Sequence, residues 1–449
     1  MSGEAMPCDA PGPLRVAVVG AGPSGLYTAD ALTFDPPVPV LVDVLERLPV
    51  PFGLLRYGVA PDHPTIKSAA TALQEVIERP VVGLYCNVAV GEDVTVEEVR
   101  RRYDAVVYAT GADADRTLGI PGEELPGSAS ATSFVKWYNA HPEADRFDLS
   151  KVRTVALVGA GNVAVDVARM LVKDPGELRD TDVPAHVLKA LQDSAVTDVH
   201  LLVRRGPEHV KFSTKPLHEL GDLAGVDTVV DPAQLPEETP EGISPVARRN
   251  LGIFRSWAER PAGGGRRRVH FHFDTAPVRI LGDTSVRAVV TRTSGEAGAS
   301  DRELAVELVL RAVGYRSRPI PGVPFDADRS IVPQADHQVI REGRPQIGEY
   351  AVGWVKRGPV GILGTNRADA EDTAAAIFAH REALLAARPQ TPPGIEPLLR
   401  DRGLSFVDLA DWNAISAHEA RLGEEAGRPR IKIHDWQRLL AARMAVGTP

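Results

Sequence analysis

Two short segments of the chain end in side chains that could each read a nucleotide. V-L-V-D-V-L-E ends on Glu46, and V-H-L-L-V-R-R-G carries Arg204 and Arg205. A carboxylate at a strand end accepts hydrogen bonds from both hydroxyls of a ribose. Two guanidiniums suit a ribose that bears a 2′-phosphate, which a carboxylate would repel. Glu46 therefore fits FAD, and Arg204 with Arg205 fits NADP(H). The plainer readings are a strand-end surface acid and an arginine pair on an exposed turn. The sequence has only 2 cysteines, Cys8 and Cys86. No C-x-x-C pair, zinc site or iron–sulfur cluster can be built from them, and no metal is expected. Redox chemistry must then sit on a bound organic cofactor.

Each reader needs a strand and a turn to place it. Residues 16–19 are a short apolar run, fit for a buried parallel strand. Gly20, Gly22 and Gly25 follow at G-x-G-x-x-G spacing. The first glycine permits the turn, the second lets the backbone approach a pyrophosphate, and the third lets the next helix pack on the strand. That helix, residues 26–32, would offer its free N–H groups and positive dipole end to the diphosphate. The pattern recurs in V-A-L-V-G-A-G-N-V-A-V-D-V-A-R, with Gly159, Gly161 and Ala164 at the three positions. Alanine at the third position fits an NADP site.

A chain of 449 residues should hold two or three domains. The expected fold is α/β, with two dinucleotide-binding Rossmann-like domains, the NADP domain inserted into the FAD domain. The expected parts are residues 14–115 for the first piece of the FAD domain, 116–322 for the NADP domain, and 323–449 for the rest of the FAD domain with a polar helical tail. Residues 48–64 hold prolines and glycines in an apolar loop that should line a site. A helix over 65–78 and short strands around 84–90 follow. Residues 226–310 read as short apolar strands between Pro- and Gly-rich turns. A helix beginning after Thr365 should aim its N-terminus at the negative charge that a reduced flavin carries. The net charge of −9 argues against a general nucleic-acid binder, and no run is long enough to span a membrane. Residues 1–13 match neither a secretory nor a transit signal, so a cytoplasmic location is expected; a monomer is expected as well.

Several stretches are more specific than either glycine turn. G-A-G-P-S-G-L-Y-T-A, P-F-G-L-L-R-Y-G-V-A-P-D-H-P, G-A-G-N-V-A-V-D-V-A-R, L-V-R-R-G-P and G-W-V-K-R-G-P-V-G-I-L-G-T-N-R-A-D-A resemble the adrenodoxin-reductase type of ferredoxin–NADP(+) reductase over nearly the whole length. The resemblance implies that Ser24, Glu46, Leu54, Val90, Trp354 and the Gly361–Ile362–Leu363 backbone contact FAD. It implies that Asn162, Val163, Ala164, Arg204 and Arg205 hold NADP(H), with Arg116 and Gly361 facing it. Pro216 stands where the family has a glutamate, and Glu219 matches a second family acid paired with a histidine, here His63. Without the resemblance, His63 in P-D-H-P reads as a turn residue. The implied activity passes a hydride from NADPH to FAD, then single electrons to a ferredoxin-type iron–sulfur protein, with a cytochrome P450 as one downstream acceptor. Arg248, Arg249, Arg255, Arg266 to Arg268, Lys356 and Arg357 are candidates for a basic docking face. The alternatives are an NADPH-dependent flavin monooxygenase and a non-catalytic NADP(H)-binding sensor.

Overall fold

The computed structural model describes residues 12–260, 263–295, 298–388, 391 and 394–443. Cys8, most of the opening segment and part of the proline-rich stretch at 389–397 lie outside the described residues.

All six residues of the first strand, Leu14–Val19, are buried. A strand covered on both faces needs such an unbroken apolar run. It sits inside a seven-stranded sheet ordered Gln334–Ala335, Gln338–Arg341, Arg344–Ala351, Ala105–Tyr108, Leu14–Val19, Val40–Glu46, Val82–Cys86. The five central and right-hand strands are parallel, and the first two close the edge as an antiparallel hairpin. A second sheet of six strands is ordered Ser128–Ser130, Leu308–Arg311, Thr154–Val158, Asp198–Leu202, Arg267–His272, Val226–Val230. Its pairings are all parallel.

The chain leaves the first sheet after Tyr108 and returns to it at Gln334, so the second sheet is an insertion in the first. The outgoing and returning passes lie side by side. Ala114–Asp115 pairs antiparallel with Tyr315–Arg316 as a separate two-stranded ribbon. Each sheet has its own apolar core. One gathers Val16, Val18, Leu26 and Val44, the other Val155, Leu157, Val199 and Phe271.

Four local expectations need correction. Helix Pro245–Ala258 lies where the sequence suggested strands and turns. Ser244 caps it through the Ala247 N–H, and Ala247, Leu251, Phe254 and Trp257 form one buried face. The arginines on its other face masked that period. The helix expected at 65–78 is two pieces, Pro64–Lys67 and Ala69–Ile77, and the strands expected near 84–90 are one strand, Val82–Cys86. The helix expected after Thr365 begins earlier, at Leu363. The polar tail is not a loose appendage. Trp412, Ile415, Ile433 and Leu439 enter the first core. Glu419, fully buried, accepts from Arg56 at 2.5 Å, Arg430 at 3.1 Å and the Ile433 N–H at 2.8 Å.

Candidate functional site

At the first glycine turn, Gly20 has φ +114°, and a Cβ there would lie 2.6 Å from the Ala109 carbonyl. A Cβ on Gly25 would sit 1.9 Å from the Gly20 carbonyl, so the helix approaches the strand only with glycine there. Gly22 is different, because a Cβ on it would meet nothing within 4 Å. It faces an opening, and it begins helix Pro23–Thr33 without any side-chain cap. The first amides of that helix are thus left for an anion.

Glu46 reaches across this turn. Its Oε2 accepts from the Ala21 N–H at 2.8 Å and its Oε1 from the Leu48 N–H at 2.9 Å. Burial raises its pKa, and the two amide hydrogen bonds only partly offset that. Each carboxylate oxygen keeps a further lone pair for a ribose hydroxyl. The proline loop closes over the same turn. The Phe52 N–H donates to the Ala21 carbonyl at 2.8 Å, and a Cβ on Gly53 would lie 3.1 Å from Gly22 Cα. Phe52 itself adopts φ +79°, a strained state for a bulky residue, held by its buried edge-on contact with Trp412. Leu54, next in the loop, is half-buried, and Val90 packs with Val19, Leu45 and Val88 beside the ends of the two strands.

The tryptophan segment meets this turn from the returning chain. Gly353 has φ +73°, and a Cβ there would strike the Ser24 hydroxyl at 2.1 Å, so Ser24 and Gly353 are in direct contact. Asp369 fixes the segment by accepting from the Gly353 N–H at 2.6 Å and pairing with both Arg357 and Lys356. Trp354 packs on Tyr315 with ring centroids 5.7 Å apart, and its Nε1–H is buried without a partner among the described residues. An orphaned indole N–H at this spot fits a polar ligand edge. Gly361 at φ +100°, exposed Ile362 and half-buried Leu363 lead into helix Leu363–Ala379, whose N-terminus is also exposed. Ile362 carries no oxygen with which to cap that helix, so its first amides also have no side-chain acceptor from the N-cap.

The second glycine turn repeats the first. A Cβ on Gly159 would lie 2.4 Å from the Ala312 carbonyl, whereas one on Gly161 would meet nothing within 4 Å. Helix Asn162–Val172 starts there without a side-chain cap. Asn162 is tied to Ser213, donating from Nδ2 at 2.9 Å and accepting the Ser213 N–H at 2.6 Å. Val163 is half-buried and Ala164 fully buried. Arg204 and Arg205 are both exposed beyond strand Asp198–Leu202. Arg116, also exposed, leaves the ribbon between the sheets with its N–H on the Gly314 carbonyl at 3.2 Å.

His63 and Glu219 come together between the two sheets, with His63 Nδ1 3.8 Å from Glu219 Oε2. Arg169, whose side chain is 1% exposed, organises the place. Its Nε and Nη2 hold both Asp62 oxygens, at 2.8 and 2.9 Å, and its Nη1 holds Asp166 at 2.7 Å. Arg169 Nη2 also lies 2.7 Å from His63 Nε2. The same Nε2 lies 3.3 Å from Asp166 Oδ1, so this nitrogen faces a guanidinium and a carboxylate together while Nδ1 faces Glu219. Glu219 Oε2 is buried with no hydrogen-bond partner among the described residues. Asp62, Arg169, Lys173, Glu219 and Asp222 line a cleft of about 280 Å³ beside this cluster. Asp62, Asp166, Arg169 and Lys173 were not singled out in the sequence. The one available signal was D-V-A-R, which puts Asp166 and Arg169 three apart on one helix face.

Most of the basic candidates are held by other groups. Arg255 is spent on the Pro236 carbonyl and Thr239, Arg267 on the Val172 and Lys173 carbonyls, and Arg268 on Asp198. Lys356 and Arg357 are bound to Asp369. Arg248, Arg249 and Arg266 remain exposed on the second sheet's side of the molecule.

Comparison with known proteins places these features in company. Residues 14–205 match the pyridine nucleotide-disulphide oxidoreductase family. The chain is 41% identical over 456 residues to NADPH-ferredoxin reductase FprA of Mycobacterium tuberculosis, covering 95% of this chain and 98% of that protein. It is 38% identical to the human mitochondrial NADPH:adrenodoxin oxidoreductase, covering 95% of this chain and 91% of that protein. The solved structure of Mycobacterium tuberculosis FprA in complex with NADPH superimposes with a TM-score of 0.88 at 40% identity, over 96% of this chain and 100% of that one.

Proposed function

The chain belongs to the adrenodoxin-reductase type of ferredoxin–NADP reductases, and from that premise we propose how its residues carry out the reaction. The protein is an FAD-dependent oxidoreductase that takes a hydride from NADPH and delivers single electrons to an iron–sulfur protein of the ferredoxin type. When bound, FAD supplies the conversion between a two-electron donor and a one-electron acceptor. The observation that carries the reading is the pair of uncapped helix starts at Gly22 and Gly161, one served by an acid and the other by two arginines.

Glu46 would hold the FAD ribose, the amides after Gly22 its diphosphate, and the Gly361–Ile362–Leu363 backbone the ring end. Leu54, Val90, Ser24 and Trp354 would shape the apolar walls. Asn162, Val163 and Ala164 open the helix that would receive the NADP(H) diphosphate, and Arg204 and Arg205 would take the 2′-phosphate. Arg116 would stand at the mouth between the sheets. His63 and Glu219 position and polarise the place where the two rings must meet. Hydride transfer needs no general base, so His63 serves geometry and dryness rather than proton abstraction. The opposed dipole end of helix Leu363–Ala379 favours negative charge nearby.

Between the ferredoxin and adrenodoxin forms of the reaction, the reading is the ferredoxin form, supported by the bacterial relatives. A charged docking face would draw on Arg248, Arg249 and Arg266, which are exposed. The protein would work as a cytoplasmic monomer. No described helix is long and apolar enough to cross a membrane. Purification followed by a visible spectrum and titration with NADPH and NADH tests the whole. The expected result is a yellow protein bleached preferentially by NADPH. A colourless protein that refuses reconstitution with FAD would overturn it.

A further inference from the structure

The second sheet carries a group of side chains that neither nucleotide uses. In D-V-H-L-L and R-R-V-H-F-H, alternate residues share one face of a strand. Val199, Leu201, Val269 and Phe271 point into the core. Asp198, His200, Arg268, His270 and His272 therefore point the other way. The strands are parallel neighbours in a register that sets His270 beside His200 and Arg268 beside Asp198. The His200 and His270 rings stack with centroids 4.3 Å apart and planes within 10°. One nitrogen from each, and one oxygen of Asp198, all lie within 4.8 Å of one another.

We propose that Asp198, His200 and His270 form a site for a divalent ion of the Zn²⁺ class, with His272 as its positioning residue. Two imidazoles and one carboxylate are a donor set for a borderline transition ion, and not for Ca²⁺ or Mg²⁺. The orientation of His200 supports the assignment independently. Its Nδ1 is 2.9 Å from His272 Nε2. If Nδ1 carries the proton and donates it to His272, Nε2 of His200 is left as the free lone pair. A ligating histidine is held in its tautomer by such a partner. Asp198 is likewise oriented, by the Thr197 hydroxyl at 2.8 Å. His270 Nε2 now contacts Asp198 Oδ1 at 2.9 Å, and an ion between them would replace that proton. Arg268, which now pairs with Asp198, is half-exposed and can turn into solvent without stranding a buried charge.

The site lies at the amino end of strand Asp198–Leu202, opposite the end that leads to Arg204 and Arg205. Nucleotides bind at carboxyl ends of such sheets. The ion would therefore clamp two neighbouring strands and touch no reactant. The test is calorimetric titration of Zn²⁺ into the flavin-loaded protein after chelator treatment, with Cu²⁺ paramagnetic resonance to read the ligand atoms. One equivalent is expected to bind, with nitrogen couplings in the Cu²⁺ spectrum. The double change His200→Ala/His270→Ala should abolish binding. His272→Ala should weaken it about 10- to 100-fold while leaving the flavin spectrum intact. His270→Gln alone serves if the double variant does not fold. Titration of the parent protein that matches the double variant or His270→Gln, or a Cu²⁺ spectrum without nitrogen couplings, would overturn the site. Unchanged affinity in His272→Ala would overturn the positioning role.

Discussion

Replacing Asp62 by asparagine removes one charge from the contact that ties the proline loop to helix Asn162–Val172. Asp62 and Arg169 are joined by two hydrogen bonds, and their side chains are 8% and 1% exposed. Burial alone would raise the Asp62 carboxyl. The Arg169 guanidinium, helped by Lys173, overrides it and holds the group from 3.8 down to about 2. At about 1.4 kcal/mol per unit, the carboxylate form is favoured in the fold by about 2–3 kcal/mol. Asparagine also strands part of the Arg169 charge, and breaking a buried pair from one side costs about 3–5 kcal/mol. Asp166 and the His63 ring still hold Arg169, so the expected loss is about 2–4 kcal/mol. The assay is urea unfolding at pH 7 with saturating FAD, followed by flavin release and by far-ultraviolet dichroism. The folded-state pKa is depressed, so the Asp62 contribution is present above 3.8 and is lost as pH falls toward about 2. The parent protein should lose that increment across the window and Asp62→Asn should not. An Asp62→Asn protein within about 0.5 kcal/mol of the parent at pH 7 would refute the clamp.

The other predictions concern the nucleotide sites. Arg204→Ala/Arg205→Ala removes two charge-assisted contacts at an exposed position, about 2–4 kcal/mol together, or about 30- to 1,000-fold in kcat/KM for NADPH. Dye reduction with NADH should be nearly unchanged, and an unaltered NADPH-to-NADH ratio would count against the 2′-phosphate role. His63→Ala should leave FAD bound and slow flavin reduction by NADPH about ten- to a hundredfold, because ring placement is relaxed. Stopped-flow reduction at the parent rate would end the positioning role. Gly25→Ala forces a Cβ to within 1.9 Å of the Gly20 carbonyl, so the variant should purify without flavin or not fold. A fully yellow Gly25→Ala protein would contradict the close packing of helix on strand.

The two nucleotide turns were legible because their requirements are local. A tight turn, an open approach and a close helix each demand a small residue within a few positions of a buried strand, as at Gly20, Gly22 and Gly25. Glu46 and Arg204–Arg205 follow from the same logic, because a strand's length fixes where its last side chains emerge. The insertion was legible from the order of the two units. Helix Pro245–Ala258 carried a readable cap and period, but its arginines drew the reading elsewhere.

What the residues could not disclose is how distant segments share charge. Asp62 meets Arg169 across 107 positions, and Arg56 meets Glu419 across 363. Nothing in either neighbourhood marks its partner, since a lone Asp or Arg reads as a solvated surface group. Only tertiary packing removes the water and leaves each charge dependent on the other. His63 shows the division within one residue. The sequence and its resemblance nominated it beside Glu219. The fold decided that its Nε2 meets both Arg169 and Asp166 while its Nδ1 turns toward the carboxylate of Glu219.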